Sequence, residues 1–313
     1  MDIAVLGAGG LVGSAIVKKL DHVNNKIFTP TSKEVNLLDY GQTLTFLRWN
    51  EIEQVYLCAA KVGGIVANRD YPVDFFEVNM QIGMNVIKAC HESPWVKKVL
   101  NLGSTCIYPK SCPQPMKEEH LLSSELEPSN EGYALAKIGI LKLCEYYNRQ
   151  HGTNFISAMP TNVYGPNDNY HPQNAHAVPS MIRKIHEAKQ RGDKEVVCWG
   201  DGSPIREFIY SEDLAEGLIH LMNNYDVKGK QDYLNIGTGK GETIADLYRN
   251  VMGVLDYDAE LVFDTSKPNG TPVKVTDTSK INNLGWEAKV SLNEGILKTY
   301  EHLKTQDFKW KEK

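Results

Sequence analysis

The sequence predicts an α/β architecture, a doubly wound parallel sheet followed by a smaller C-terminal α/β unit. Two observations carry this. Short apolar runs of strand length alternate with segments of helical apolar spacing through the first half of the chain, and the first run ends in a glycine-rich turn that opens onto a helix. Strands separated by helices of about ten or more residues pair in parallel, with both faces of the sheet covered.

Each element follows in order. Ile3–Leu6 is a short apolar run closed by Gly7, and Leu11–Leu20 has helical spacing. Lys26–Phe28 reads as a short second strand, Tyr40–Arg48 as an amphipathic helix and Val55–Ala59 as a buried strand. Phe75–Cys90 has helical spacing, and Val99–Leu102 is a strand ending at Gly103. Tyr133–Tyr147 is a helix, and Phe155–Met159 a strand stopped by Pro160. Residues 164–175, rich in Pro, Asn, Asp and His, read as a loop. A helix near Val178–Lys189, a strand Glu195–Cys198 and a turn Gly200–Pro204 come next. The last helices lie near Asp213–Met222, Thr243–Val254 and Ser291–Leu303. Two of them open on capping-box patterns, Thr243-Ile-Ala-Asp246 and Ser291-Leu-Asn-Glu294. The pattern divides the chain into residues 1–165 and 166–313, with some later segments expected to return to the first domain.

Composition narrows the class. The 313 residues are 42% hydrophobic and carry a net charge of −5, so neither a nucleic-acid footprint nor a polybasic membrane patch is expected. No apolar run approaches bilayer length, and no signal peptide is read at the N-terminus. Six scattered cysteines without a CxxC pair imply a reduced, cytoplasmic protein. Nine histidines form no HExxH and no Cys/His cluster, so no metal is expected.

Gly7-Ala8-Gly9-Gly10-Leu11-Val12-Gly13 sits between the first strand and the first helix. A pyrophosphate needs close backbone approach and free N–H groups at a helix N-terminus, which glycines there permit. This is the dinucleotide turn of a Rossmann sheet. A ribose carboxylate is usual about 20 residues on. Here Thr29-Pro30-Thr31-Ser32-Lys33 stands instead, which favours a 2′-phosphate held by Ser32 and Lys33, hence NADP over NAD.

Tyr133-Ala-Leu-Ala-Lys137 puts a phenol and an ammonium one helical turn apart on one face. Reducing a ketone by hydride requires a proton donor at the carbonyl oxygen. The expectation is that Lys137 lowers the Tyr133 phenol and also holds the nicotinamide ribose. Ser104, at the end of the fourth strand, donates a second hydrogen bond to that oxygen. Alone, Tyr133 would be an ordinary half-buried helix residue; with Gly7–Gly13, Ser104 and Lys137 it reads as catalytic.

Longer segments carry a resemblance. Gly103-Ser104-Thr105-Cys106-Ile107-Tyr108-Pro109-Lys110, Ala59-Ala60-Lys61-Val62-Gly63-Gly64-Ile65 and Asn130-Glu131-Gly132-Tyr133 form the first group. Met159-Pro160-Thr161-Asn162 and Tyr164-Gly165-Pro166-Asn167-Asp168-Asn169 follow, then Trp199-Gly200, Arg206-Glu207-Phe208 and Lys267-Pro268-Asn269-Gly270-Thr271-Pro272. Across the whole chain these resemble the GDP-L-fucose synthase family, extended short-chain dehydrogenases/reductases that epimerise GDP-4-keto-6-deoxy-D-mannose at C3 and C5 and reduce it at C4. The resemblance implies a Rossmann domain, a smaller substrate domain, a GDP-sugar substrate, NADP and a homodimer packed through the Tyr133 helix and the Phe75–Cys90 helix.

By the same resemblance Ser104, Tyr133 and Lys137 form the reductase triad, and Cys106 and His176 move protons during epimerisation. Leu102, Gly103, Thr105, Pro160, Thr161, Asn162, Val163 and His176 line the cofactor, and Lys184, Trp199, Arg206 and Asn269 hold the substrate. The chain departs from the family at Gly9, where the turn usually carries an arginine, and at Pro30 and Ser32, which replace basic residues. Asn269 stands for the usual Asp, and Lys184 for a frequent Arg. A sister enzyme such as a GDP-colitose synthase shares these residues. A pure epimerase of the UDP-galactose type needs no Cys/His pair, and a non-catalytic NADP-binding protein needs no intact triad.

Overall fold

Asp2–Leu6 (β1) buries Ile3 and Val5 on one face and Ala4 and Leu6 on the other, the signature of a strand covered on both sides. A computed structural model describes residues 1–172, 175–227, 233–267 and 269–310. After β1 come α1 (Leu11–Lys19), β2 (Lys26–Phe28), α2 (Tyr40–Trp49), β3 (Gln54–Leu57), α3 (Ile65–Asp70), α4 (Pro72–Glu92) and β4 (Lys98–Leu102). Then follow α5 (Glu131–His151), β5 (Phe155–Pro160), β6 (Asn162–Tyr164), α6 (Ala177–Arg191), β7 (Glu195–Trp199), β8 (Ile205–Tyr210) and α7 (Ser211–Asn224). The chain ends through β9 (Tyr233–Ile236), β10 (Gly241–Thr243), α8 (Ile244–Val254), β11 (Glu260–Asp264), β12 (Val273–Lys274), α9 (Ser279–Asn283) and α10 (Leu292–Thr305).

The main sheet is wholly parallel, in the order β2-β1-β3-β4-β5-β9. The chain steps outward from β1 to β2 and then crosses back to β3 on the other side of β1. The loops after β1 and β3 therefore diverge at the C-terminal edge and leave a crevice there. One face packs on α1 and α7 through Ala15, Ile16, Leu214, Leu218 and Leu221. The other packs on α2, α4 and α5 through Leu47, Val86, Ile87, Ile140 and Cys144. This is the doubly wound Rossmann sheet the sequence predicts.

A second, smaller layer holds β10-β8-β12, with β6 paired to β8, and a parallel pair β11-β7. Its core joins α6, α8 and α10 through Ile182, Ile185, Leu247, Val251, Ile296 and Leu303. The two expected caps are present. Thr243 Oγ1 accepts from Asp246 N at 3.0 Å, and Ser291 Oγ accepts from Glu294 N at 3.3 Å. Sequence reading assigned no strand to β8, β9 or β11. β9 has only four residues, whereas β8 and β11 are as long as the strands that were read. Residues 173 and 174 of the expected loop, and Pro268 of the Lys267–Pro272 segment, lie outside the described residues. Among the described residues no helix is long and apolar enough to cross a membrane.

Glu207, fully buried on β8, ties the layers together. Its Oε1 accepts from Thr238 N at 2.6 Å and Gly239 N at 2.8 Å, just after β9 of the main sheet. Its Oε2 accepts from Thr276 N at 2.6 Å and Thr276 Oγ1 at 2.7 Å, just after β12. A buried donor left without a partner costs about 1–3 kcal/mol. Glu207→Ala strands three backbone N–H groups and should lower unfolding stability by roughly 3 kcal/mol or more. Glu207→Gln, which keeps an acceptor, should lose less. Urea denaturation of the variants checks this, and equal midpoints for Glu207→Ala and wild type would contradict it.

Candidate active site

The turn after β1 is built for close approach. Gly7 has φ +91°, and a Cβ on it would lie 2.6 Å from Ala59 N, beyond β3. A Cβ on Gly13 would fall inside van der Waals contact of Gly7 O, so α1 seats directly on the turn. A Cβ on Gly9 would meet nothing within 4 Å. α1 begins after Gly10 with no side-chain cap and no acidic residue in its first turn. An uncapped helix N-terminus at the switch point of the sheet, open at Gly9, fits a dinucleotide pyrophosphate. Ala8, Leu11 and Val12 complete this turn, as expected.

Beyond β2 the chain turns at residues 31–34. Glu34 Oε2 accepts from both Thr31 N and Thr31 Oγ1 at 2.8 Å, and these bonds hold its carboxyl below the usual range. Ser32 and Lys33 are exposed on the same turn.

The main cluster forms where β4 ends. Gly103 N donates to Ala158 O at 2.8 Å, keeping β4 beside β5 up to Ser104. Ser104 caps a short 3-10 turn, Thr105–Ile107, and its Oγ accepts from Cys106 N at 3.2 Å. From α5, Tyr133 and Lys137 face this turn, with the Lys137 Nζ 5.7 Å from the Tyr133 ring centroid. The phenyl ring of Phe75 meets Tyr133 edge-on at 6.4 Å. Lys137 is buried and donates to Leu102 O at 2.8 Å. Burial pushes Lys137 down to about 8, opposed by the neighbouring Cys58 and Cys106. The Tyr133 phenol is raised, chiefly by burial and further by Cys106, while a hydrogen bond with Ser104 opposes the rise.

That corrects the expectation of a lowered phenol. Desolvation of Tyr133 prevails, while Lys137 directs a hydrogen bond to Leu102 O. A raised phenol stays protonated, which suits an acid.

His176 enters from a different element. It stands at the N-cap of α6 with no side-chain capping bond. The residue is solvent-exposed, and desolvation of its ring holds the imidazole below the usual histidine value. Ser104, Cys106, Tyr133 and Lys137 are thus brought together, and His176 shares no hydrogen bond with them. Pro160 ends β5. Thr161 N donates to Ile236 O at 3.1 Å, Asn162 Nδ2 donates to Glu207 O at 2.8 Å, and Val163 lies in β6.

The expected substrate residues lie in the second layer. Lys184 on α6 donates to Val197 O, sits 5.7 Å from the Tyr248 ring centroid, and is lowered by burial. Trp199, at the end of β7, is 68% exposed with Lys267 Nζ 5.8 Å from its ring centroid. Arg206 on β8 donates to Ile205 O at 2.8 Å, and burial lowers it. Asn269 Oδ1 accepts from Asp201 N at 3.1 Å, so it fixes the turn beside Trp199.

Three residues escaped sequence reading. Lys274 pairs in register with Arg206 across parallel strands, placing two cations side by side on one face. Asn79, buried in α4, accepts from Lys61 N at 2.9 Å and donates to Lys61 O at 3.0 Å, pinning the loop after β3. Cys58 stands at the end of β3 with its thiol pushed up to about 12 by burial, opposed by Lys137. None of the three stood out in the sequence: Asn79 is one of several polar residues in the helically spaced segment Phe75–Cys90, and the other two depend on register and burial. Among the described residues no acidic, histidine or cysteine cluster could hold a metal ion.

Comparisons with known proteins extend this geometry. Residues 3–237 match the model of the NAD dependent epimerase/dehydratase family. The chain is 48% identical to GDP-L-fucose synthase 1 of Arabidopsis thaliana, over 96% of this chain and 92% of that protein. It is 45% identical to a GDP-L-fucose synthase of Escherichia coli K12, over 97% of each. A solved GDP-L-fucose synthetase of Naegleria fowleri bound to NADP superposes with a TM-score of 0.89 at 25% identity, covering 99% of this chain and 96% of that one.

The glycine geometry separates the tight position of the turn from the open one. Gly13→Ala should lower both the melting temperature and dinucleotide affinity, because its Cβ strikes Gly7 O. Gly9→Ala should leave both near wild type, because its Cβ meets nothing within 4 Å. Thermal melts and NADPH fluorescence titration check this. Wild-type affinity in Gly13→Ala would remove the turn from the cofactor site.

Proposed function

The chain belongs to the NAD dependent epimerase/dehydratase family, and on that premise we propose that it converts GDP-4-keto-6-deoxy-D-mannose to GDP-L-fucose, epimerising C3 and C5 and then reducing C4 with NADPH. The observation that carries the reading is the group Ser104, Cys106, Tyr133 and Lys137 at the end of β4, two donors, a thiol and a buried ammonium gathered on one cleft. When bound, the nicotinamide supplies hydride to C4.

The chain's own residues do the rest. Ser104 and Tyr133 donate to the C4 oxygen, first bracing the enolate and later protonating the alkoxide. Lys137 supplies positive charge behind Tyr133. A ketone at C4 acidifies the protons on C3 and C5, so Cys106 removes a proton and His176 returns one on the opposite face. The lowered His176 gains its proton when the dianionic diphosphate enters, because nearby negative charge favours imidazolium.

Arg206 with Lys274 holds the diphosphate, while Lys184, Trp199 and the turn pinned by Asn269 hold the nucleotide sugar. Gly7–Gly13 takes the pyrophosphate of NADP. Leu102–Thr105 and Pro160–Val163, together with His176, line its nicotinamide. Ser32 and Lys33 take its 2′-phosphate, a choice supported by their exposure on the turn after β2, where Glu34 is held by Thr31 N and Oγ1. Residues 1–165 bind the dinucleotide and 166–313 mainly the substrate, with α7 and β9 returning to the main sheet. Two chains pair through α4 and α5, whose outward faces expose Phe76, Met84, Leu135 and Tyr146.

The two reactions separate by where protons move. With the 4-keto substrate in D₂O and no NADPH, wild type should wash deuterium into C3 and C5. Cys106→Ala should exchange about 10²–10⁴-fold more slowly, yet still oxidise NADPH. Tyr133→Phe should lose most reduction and retain some exchange. Product NMR should identify GDP-L-fucose. If Cys106→Ala exchanges at the wild-type rate, Cys106 is a packing thiol and the epimerase assignment falls.

The pH dependence follows from Lys137. Its value near 8 means the ammonium form dominates below that pH and is lost above it. Reductive kcat/KM should therefore fall as pH rises through about 8. Lys137→Arg, which keeps its charge, should be slower but lack that limb. An unchanged limb in Lys137→Arg would assign it to another group.

A further inference from the structure

The segment that carries His176 is held from outside the catalytic cleft. Residues 165–172 and 175–176, the described part of the segment between β6 and α6, belong to no helix or strand. At its start, Asn167, with φ +67°, donates to Ser14 Oγ of α1 at 3.2 Å. In its middle, Tyr170 is buried, but its hydroxyl has no hydrogen-bond partner among the described residues. Packing must therefore fix that ring, and part of the packing comes from the far end of the chain.

Trp310 lies 5.3 Å from Tyr170, ring centroid to ring centroid. Phe308 stacks on His186 of α6 at 3.8 Å and 25°. Tyr300 of α10 completes the cluster, its hydroxyl 2.9 Å from His186 Nδ1. Arg183, one turn before His186, joins both sides. Its guanidinium sits 5.4 Å from the Trp310 ring centroid, and its Nη1 donates to Tyr170 O at 2.8 Å.

The tail reaches this position against local preference. Asp307 and Phe308 both have φ +50°, a left-handed pair without glycine. Such a pair persists only where surrounding contacts over-determine it. Here a local turn at the end of α10, with Asp307 N donating to Lys304 O at 3.2 Å and Phe308 N to Leu303 O at 3.0 Å, combines with the aromatic stack. The stack bears on the two elements that flank His176: the loop before it, through Tyr170, and α6 after it, through Arg183 and His186.

We propose that residues 306–310 form a C-terminal strap that positions the His176 loop for proton transfer, so that the tail sets the rate of epimerisation without touching the reducing group. Phe308, Trp310 and Arg183 act as positioning residues. This rests on the reading of His176 as an epimerisation acid.

The test reads the two reactions apart in Phe308→Ala, Trp310→Ala, Trp310→Phe and His176→Asn. Epimerisation is read as deuterium wash-in at C3 and C5 of GDP-4-keto-6-deoxy-D-mannose without NADPH. The hydride step is read alone as oxidation of GDP-L-fucose by NADP. Phe308→Ala and Trp310→Ala should slow wash-in about tenfold, as a small misplacement of a reacting group does, with oxidation and NADPH affinity unchanged. Trp310→Phe should restore wash-in. Equal loss of both reactions, or wild-type wash-in in both alanine variants, overturns the strap. Wild-type wash-in in His176→Asn overturns the reading of His176 instead, whatever the tail variants do. If Phe308→Ala fails to fold, Trp310→Ala, altered near the chain end, decides alone.

Discussion

The buried carboxylate of Glu207 constrains this molecule more than any other single group. It sits on β8 with no exposed surface and collects backbone N–H donors from the end of the main sheet and from the segment just after β12. Its own carbonyl accepts from Thr161 Oγ1 at 3.2 Å and Asn162 Nδ2 at 2.8 Å, where β5 passes into β6. A charge removed from water must be fully hydrogen-bonded, so the donors cannot move independently. The two layers are therefore held at one mutual setting, and the cleft between the end of β4 and the strands carrying Arg206 and Lys274 inherits it.

Within that cleft, desolvation outweighs charge pairing. It raises Tyr133, lowers Lys137 to about 8 and lowers His176, so burial penalises the charged form of each, although Lys137 stays mostly ammonium at neutral pH. A site of that kind is poised to be completed by its ligands. An incoming diphosphate favours the charged form of each base it approaches, and the low dielectric that penalises lone charges strengthens each such pairing. Arg206 is lowered by the same burial, consistent with a cation awaiting an anion.

The left-handed residues mark where the backbone serves packing. Gly7 takes a positive φ so that β1 can turn beneath α1 and against Ala59. Asp307 and Phe308 take one without that freedom, and aromatic contacts hold them there. The first is a local requirement that only glycine meets cheaply. The second joins a local turn at the end of α10 to contacts with distant parts of the chain.

Local signals in the sequence determined a good deal. The alternation of strand and helix, the glycine turn, the one-turn spacing of Tyr133 and Lys137, and the Thr243 and Ser291 caps are all set by neighbours within a few residues. Period, turn chemistry and capping act over that range. The family motifs brought Cys106, His176, Trp199 and Arg206 into view. Tertiary structure decided what depends on distant meetings: the return of β9 to the main sheet, the register that sets Lys274 beside Arg206, and the burial of Glu207. It also reversed the expected shift of Tyr133, because a phenol's acidity depends on how much water it loses, and no spacing along the chain records that.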